Sequence, residues 1–399
     1  MLWPLVTLDS IRSNERYSLV GGPFGSNLTT RDYVDDGVPV IRGANLPEDR
    51  KFLDEDFVYV SEEKADQLTA NLAFSGDVIF TQRGTLGQVG LIPNDCKHRR
   101  YVLSQSQMKL TVDRSMVDPT YVYYFFRQPT TVQYIRNHDS SSGVPHINLA
   151  VLKAMRLPLP PLASQQRIVE TIEAYDDLID NNRRRIKLLG TAARQLFDEW
   201  FGRLRFPGHE HSPIVDSFPI GWKRSTLGSV AENFDRRRVP LSVFEREAKP
   251  GPYPYHGAAG ILGYIDEYIF DGRYLLVGED GTVQTTSGTP MLQLLEGKFW
   301  VSNHAHVIQG RVLSTEFLNC FLSAYQIAGH VTGVAQPKLT QANLNRIPIL
   351  LPPTSLLEQF QQIAEPIIGQ TFVLKTYIEK LCAARNLLLP RLMSGELTV

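Results

Sequence analysis

His304 and His306, two histidines one residue apart, are the most chemically suggestive pair in this 399-residue chain. Alternate residues of a strand share a face, so such a pair could open a metal site. A similar stretch earlier in the chain reads Ser104-Gln105-Ser106-Gln107, which offers no metal ligand of that kind. No metal is therefore expected, and the pair reads as hydrogen-bonding side chains at a recognition surface or as a satisfied structural pair. His209 and His211 sit in a stretch of loop composition. Catalytic patterns are also missing. A base-nitrogen methyltransferase needs Asp/Asn-Pro-Pro-aromatic, but the two Pro-Pro pairs read Leu159-Pro160-Pro161-Leu162 and Leu351-Pro352-Pro353-Thr354. A phosphate loop needs Gly-Lys-Ser/Thr, and the sole Gly-Lys, Gly297-Lys298, is followed by Phe299. A nuclease needs clustered carboxylates with a lysine; Glu62-Glu63-Lys64 comes nearest, and nothing upstream completes it. Three scattered cysteines, Cys96, Cys320 and Cys382, form neither a disulfide framework nor a zinc spacing. No catalytic residue and no cofactor site is expected.

The elements that position these residues are written twice. A constant shift of 192 residues aligns Pro145 with Pro337, Leu152 with Leu344, and Pro160-Pro161 with Pro352-Pro353. The same shift pairs Ile186 with Ile378, Leu189 with Leu381, Ala192 with Ala384 and Leu196 with Leu388. Upstream, Trp3, Thr7-Leu8 and Ser10 recur as Trp222, Thr226-Leu227 and Ser229, and Gly84-Thr85 recurs as Gly281-Thr282. Each half thus reads as a module, a Pro-Pro, and a long helix. Apolar spacings of four and three, the period of a coiled-coil seam, run through Ile168, Ile172, Tyr175, Ile179, Asn182, Ile186, Leu189, Ala193, Leu196 and Trp200. The second half gives a more broken seam at Phe360, Ala364, Ile367, Thr371, Leu374, Ile378, Leu381, Arg385 and Leu388. Paired prolines explain the helix starts, and Pro366 should kink the second helix or mark its first turn. Asn182, the polar residue of the first seam, either sets register or faces water. Arg183-Arg184-Arg185 with Lys187 reads as a solvated face, the other reading being contact with DNA phosphates or an acidic partner. Ile172 and Leu374 are expected to need a partner for full burial.

The modules read as mixed α and β, making the fold class α+β. Strands are expected at Asp77–Phe80, Gly87–Ile92 and Val102–Val112, with a helix over about Asp118–Arg136. In the second module strands fall near Tyr274–Val277 and Phe299–Gln309, and a helix starts at the cap Ser314. Domains are drawn at 1–160, a helical region 161–204, a linker 205–213, a second module 214–353 and a helical region 354–399. With 43% hydrophobic and 21% charged residues the composition is globular. No apolar run approaches the roughly 20 residues of a membrane span, and the start lacks a secretion signal, so a cytoplasmic protein is expected. The net charge of −1 neither supports nor excludes nucleic-acid binding, because only one face must be basic.

The segment Leu387-Leu388-Leu389-Pro390-Arg391-Leu392-Met393-Ser394-Gly395-Glu396-Leu397 resembles the chain end of specificity subunits of type I restriction-modification systems. Leu196-Phe197-Asp198-Glu199-Trp200-Phe201 and Arg205-Phe206-Pro207 resemble that family's central counterpart. Gly22-Pro23-Phe24-Gly25-Ser26, Pro39-Val40-Ile41-Arg42-Gly43 and Ser302-Asn303-His304-Ala305-His306-Val307 are similar to segments of its recognition domains. Ser164-Gln165 departs from the Glu-Gln often found after the first Pro-Pro of such subunits.

The resemblance implies two target-recognition domains separated by two long helices packed as an antiparallel coiled coil. Each domain would read one half of a bipartite, asymmetric double-stranded DNA target. The helices would set the spacing and dock two modification subunits, with restriction subunits completing the complex. Within the modules, polar side chains in Gly-rich turns are the candidate DNA contacts, since Arg and Lys pair guanine while Asn and Gln pair adenine. These are Arg42, Asn45, Gln82, Arg83, Thr85, Gln88, Ser141 and His146 in the first module. In the second they are His256, Asp280, Thr282, Gln284, Asn303, His304, Gln336 and Lys338. The rival readings are a structural adaptor of a decayed system that binds protein, and a highly diverged methyltransferase or nuclease.

Overall fold

Proline places the boundaries of the two longest elements. In the computed structural model, which describes residues 3–398 except 140–142, 216–217 and 334, helices run over Leu162–Phe197 and Thr354–Met393. Each begins directly after a Pro-Pro pair, where the preceding residue avoids helical ψ. Pro366 lies well inside the second helix, which continues past it, so this proline does not mark the first turn. The chain is 41% helix and 24% strand, a mixed composition. It folds as two units, residues 1–180 with 379–399, and residues 181–378. Among the described residues no helix is long and apolar enough to cross a membrane.

In the first unit, Leu5–Thr7 pairs antiparallel with Arg156–Pro158, tying the start of the module to its end. Between them lie two sheets. One is antiparallel, with strands ordered Leu19–Gly21, Gln107–Leu110, Val78–Thr81 and Val89–Leu91. The other has five strands and one parallel pair, Val38–Ile41 beside Tyr101–Leu103. The single strand expected over Val102–Val112 is therefore two strands in two sheets, parted at Ser104–Ser106. The single helix expected to Arg136 is likewise two, Pro119–Arg127 and Pro129–Asn137. Pro129 supplies no N–H and turns its predecessor Gln128 extended, which breaks the helix there.

The apolar core of this unit joins Tyr121, Val122 and Phe126 of the first of these helices to Phe80 and Met108 of the antiparallel sheet. Ile168, Val169 and Ile172 enter the same core from one long helix, and Leu389, Leu392 and Met393 from the end of the other. The helices meet antiparallel here, since the start of one packs with the end of the other. Arg385 pairs with Asp176, which also accepts a 2.7 Å bond from the Tyr124 hydroxyl. Gln165 is fully buried; its amide donates to Met116 and Pro160 carbonyls and its oxygen accepts from Asp118 N–H, locking the Pro-Pro turn to the start of the helix Pro119–Arg127.

The second unit repeats the plan. Lys223–Thr226 pairs with Pro348–Leu351, and the register Arg224↔Leu350, Thr226↔Pro348 reproduces Leu5↔Pro158, Thr7↔Arg156. A six-stranded sheet follows, ordered Ala231–Asn233, Ala305–Gly310, Phe270–Gly278, Leu292–Val301, Tyr253–His256 and Ile261–Ile265. Its parallel pair is Tyr253–His256 beside Leu292–Val301. The expected strand Phe299–Gln309 is again split, at Ser302–His304. Ser314 caps the helix Thr315–Ala324 by accepting from Phe317 N–H at 3.1 Å. In the core Ala193, Phe197 and Trp200 from the end of the first long helix meet Phe360, Ala364 and Ile368 from the start of the second. The helices are antiparallel here too.

Every residue expected on the first seam is buried or half-buried, Asn182 included. Leu178 and Leu188, off the seam, are 52% and 68% exposed. On the second helix the inward face drifts from the expected positions: Ile368 is buried where Ile367 is only half-buried, and Leu389 where Leu388 is half-buried. Phe360, Ala364 and Ile368 are spaced four apart because they pack on a module rather than only on a partner helix. Leu374 is buried, Ile378 and Leu381 half-buried. Ile172 and Leu374 are covered by this chain itself, at 0% and 1% exposure, contrary to the expectation that they need a partner. Arg184, Arg185 and Lys187 are exposed, a solvated face, with Arg183 half-buried.

Other suggestive residues serve structure. Glu62, Asp66 and Arg100 form ion pairs, and Lys64 pairs with Asp32 at 2.9 Å. Bonds from Lys64 and Thr29 hold the Asp32 carboxyl down to about 2. The three cysteines are free, and burial pushes the Cys320 thiol up to about 12. A buried ion pair lies at the antiparallel sheet, where Lys109 meets Asp77 at 3.2 Å with side chains 6% and 2% exposed. Lys109→Met would leave that buried carboxylate its bonds from Phe74 N–H and the Thr111 hydroxyl but no counter-charge, and about 3–5 kcal/mol of stability should be lost. A urea titration checks this; an unchanged midpoint would show the pair to be dispensable.

Candidate nucleic-acid interface

Both modules carry a corresponding polar turn, joined in each by one equivalent bridge and one equivalent backbone bond. In the first, the strand Val78–Thr81 runs into Gln82-Arg83-Gly84-Thr85. Arg83 bridges to His146, Gly84 N–H donates to the Pro145 carbonyl at 2.9 Å, and Ile147 N–H donates to the Gln82 carbonyl at 3.0 Å. In the second, the strand Phe270–Gly278 runs into Glu279-Asp280-Gly281-Thr282. Asp280 bridges to Lys338, and Leu339 N–H donates to the Glu279 carbonyl at 2.8 Å. Gly84 and Gly281 hold φ of +100° and +73°, which a side chain resists, so Gly is what lets each chain reverse. Six of the expected contacts, Arg83, Thr85 and His146 with Asp280, Thr282 and Lys338, are thereby gathered on two equivalent turns.

The second turn opens on a groove of about 520 Å³. Asp280, Thr282, His304, Gln336 and Lys338 line it, together with the Gly257-Ala258-Ala259 loop that sequence reasoning missed. Beneath lies a charged network. His306, 1% exposed, faces the Asp235 carboxylate through Nδ1 at 2.6 Å and the Leu339 carbonyl through Nε2 at 2.7 Å. Arg238 reaches Glu279 at 2.7 Å and Asp235 at 3.5 Å, and Lys338 reaches Glu279 at 3.4 Å. Ligand atoms of Asp235, Glu279 and His306 lie within 4.8 Å of one another, yet all three are engaged in this network. At its edge His304 Nδ1 bonds the Asp280 carboxylate. Burial alone would raise Asp235, but the bonds from His306 and Val307 N–H and the nearby Arg238 charge hold its carboxyl below the usual range. Asp235, Arg238 and Glu279 gave no motif; an acidic pair before Gly281-Thr282 was the one signal available.

Several expected contacts prove to be scaffold. Asn45 is fully buried, its amide donating to the Leu53 and Glu55 carbonyls and its oxygen accepting from Arg42 N–H, so it clamps a loop and has no free edge. His256 is 5% exposed and bonded through Nδ1 to Gln293; burial pushes its imidazole down, and it too is withdrawn from solvent. Gln88 is half-buried and accepts from the Thr81 hydroxyl at 3.1 Å. It lines a cavity of about 450 Å³ with Tyr123, Arg127, Arg136 and Arg385, a feature absent from the sequence reading. Arg42 is half-buried and donates to the Asp56 carbonyl at 3.2 Å, and Gln82 is half-buried. Gln284 and Asn303 are exposed, the former on a turn that is longer in the second module. Ser141 lies outside the described residues.

Residues 27–190 and 219–368 each match the model of the type I restriction modification DNA specificity domain. The chain belongs to this family. Both polar turns fall inside the matched stretches, so the repeat is a pair of specificity domains. Over 361 residues, 85% of this chain and 82% of the relative, it is 24% identical to the specificity subunit of the type I restriction enzyme MjaIX of Methanocaldococcus jannaschii. It is 31% identical over 159 residues, 40% of each chain, to a putative type I restriction enzyme specificity subunit of Haemophilus influenzae. Its fold is similar to the crystal structure of a type I restriction-modification S subunit from M. genitalium, with a TM-score of 0.57 and 16% identity over 98% of this chain and 96% of that one.

A carboxyl held low in the folded state adds stability above its unfolded value, about 3.9 for Asp, and loses it as pH falls through the lowered folded value. The second specificity domain should therefore weaken below about pH 4. Asp235→Asn should be less stable at neutral pH and flatter in its acid response. Thermal unfolding against pH reads both, and equal slopes would remove Asp235 from that response.

Proposed function

We propose that this chain is the non-catalytic, sequence-reading subunit of a type I restriction-modification complex. The observation that carries the reading is the doubled polar turn, set by equivalent bonds in two specificity domains whose exposed residues differ. Two unlike readers on one chain fit a bipartite, asymmetric DNA target. The helices of 36 and 40 residues correspond to about 54 and 60 Å at 1.5 Å per residue, a length that suits them to set a spacing between half-sites. Apolar side chains left exposed on those helices, Leu178, Leu188, Tyr377 and Leu387 among them, suit docking of two modification subunits. Those subunits would bring the methyl donor and extract the target base, and restriction subunits would complete the assembly.

Single-molecule mapping of DNA from cells expressing the chain with its modification subunit should show adenine methylation at a two-part motif with a fixed gap, lost when the chain is omitted. No motif beside an active modification subunit would favour a protein-binding adaptor. Methyl transfer by the purified chain alone would favour a diverged methyltransferase. Leu188→Glu and Leu387→Glu should each weaken capture of the modification subunit by roughly tenfold or more, with unfolding unchanged. Undiminished capture would place the docking surface elsewhere.

A further inference from the structure

Arg83 and Asp280 occupy one point of the repeated turn and carry opposite charge. Ladder register establishes the equivalence: Thr81 faces Gln107 and Gly278 faces Ala305, and each turn residue lies two positions further on. Each then makes the corresponding bridge, to His146 or to Lys338. Arg83 is exposed, and among the described residues its guanidinium has no hydrogen-bond or ion-pair partner. Asp280 Oδ1 accepts from His304, while Oδ2 lies 3.9 Å from Lys338 Nζ, too far for a hydrogen bond, at the wall of the 520 Å³ groove.

A guanidinium only donates, and in the major groove its match is the O6 and N7 pair of guanine. A carboxylate only accepts, and its match is an exocyclic amine, N4 of cytosine or N6 of adenine. A carboxylate on a DNA-facing surface repels phosphates, so its presence there is favourable where it accepts such a bond. His304 and Lys338 offset part of its charge. We propose that the two half-sites differ in chemistry at the base pair beneath this turn: the first domain demands a guanine edge through Arg83, the second an exocyclic amine through Asp280. Asp280 is thereby a specificity-determining residue. The inference rests on the DNA-reading function proposed above.

The test is methylation mapping with the full chain and its modification subunit, comparing the native chain with Arg83→Ala and Asp280→Ala. Arg83→Ala should make one guanine-containing position of one half-site degenerate, and Asp280→Ala one position of the other half-site, each by roughly 5- to 150-fold in discrimination. Methylation that falls evenly on all sites with Arg83→Ala would make it a phosphate contact and overturn its half of the inference. An intact motif with Asp280→Ala, together with tighter binding to all DNA, would overturn the other half. Should Asp280→Ala abolish methylation, Asp280→Asn decides, because an amide that also donates should broaden that position; an unchanged motif overturns the assignment. A native chain that yields no two-part motif refutes the recognition function itself, an outcome distinct from all of these.

Discussion

Each specificity domain lacks part of its own apolar core, and the end of a long helix supplies it. Leu389, Leu392 and Met393 close the core around Tyr121 and Phe126, as Phe197 and Trp200 close that around Phe317 and Leu344. Burying such side chains is worth about 1.5–3 kcal/mol each, so the helix ends cannot leave without exposing the domains they complete. The two-strand ribbon before each Pro-Pro and the antiparallel helix contact within each unit follow from that requirement. Rigid domain cores are in turn what hold the polar turns still.

The turns show how a nearly neutral chain can concentrate charge and exposed polar groups locally. Around the turn of the second domain, positive groups are matched against half-buried acids. Arg238 and Lys338 sit on Glu279, and His306 sits between Asp235 and the Leu339 carbonyl. Such a network holds the turn by satisfied bonds and leaves groups at its edge, His304 and one oxygen of Asp280 among them, with capacity to spare. The first domain solves the same turn with fewer charges and a free arginine. Corresponding backbone bonds thus display unlike side-chain chemistry on one repeated scaffold.

Periodicity and punctuation carried far in the sequence. The Pro-Pro pairs marked helix starts because proline restricts its predecessor, and the four-three spacing marked an inward face that is buried or half-buried throughout the first helix. Errors arose where local signals were silent. The Ser104–Ser106 and Ser302–His304 turns carry no proline or glycine, so two strands read as one. Asn45 and His256 looked like contacts because their residue types suit DNA, yet each is consumed by bonds to loops distant in sequence. The charged network escaped notice because Asp235, Glu279 and His306 are far apart along the chain.

What the sequence determined by itself is therefore the doubled plan: two modules, two helices, their order, and the absence of a recognisable catalytic motif. These depend on local conformational limits and on short-range periodicity, which any stretch of chain displays unaided. Which polar side chains remain free was decided only by the tertiary structure. Freedom to contact a ligand depends on burial and on the partners already taken. Those partners are set by strand register and by bridges such as Arg83 to His146, formed between residues that only the folded chain brings together.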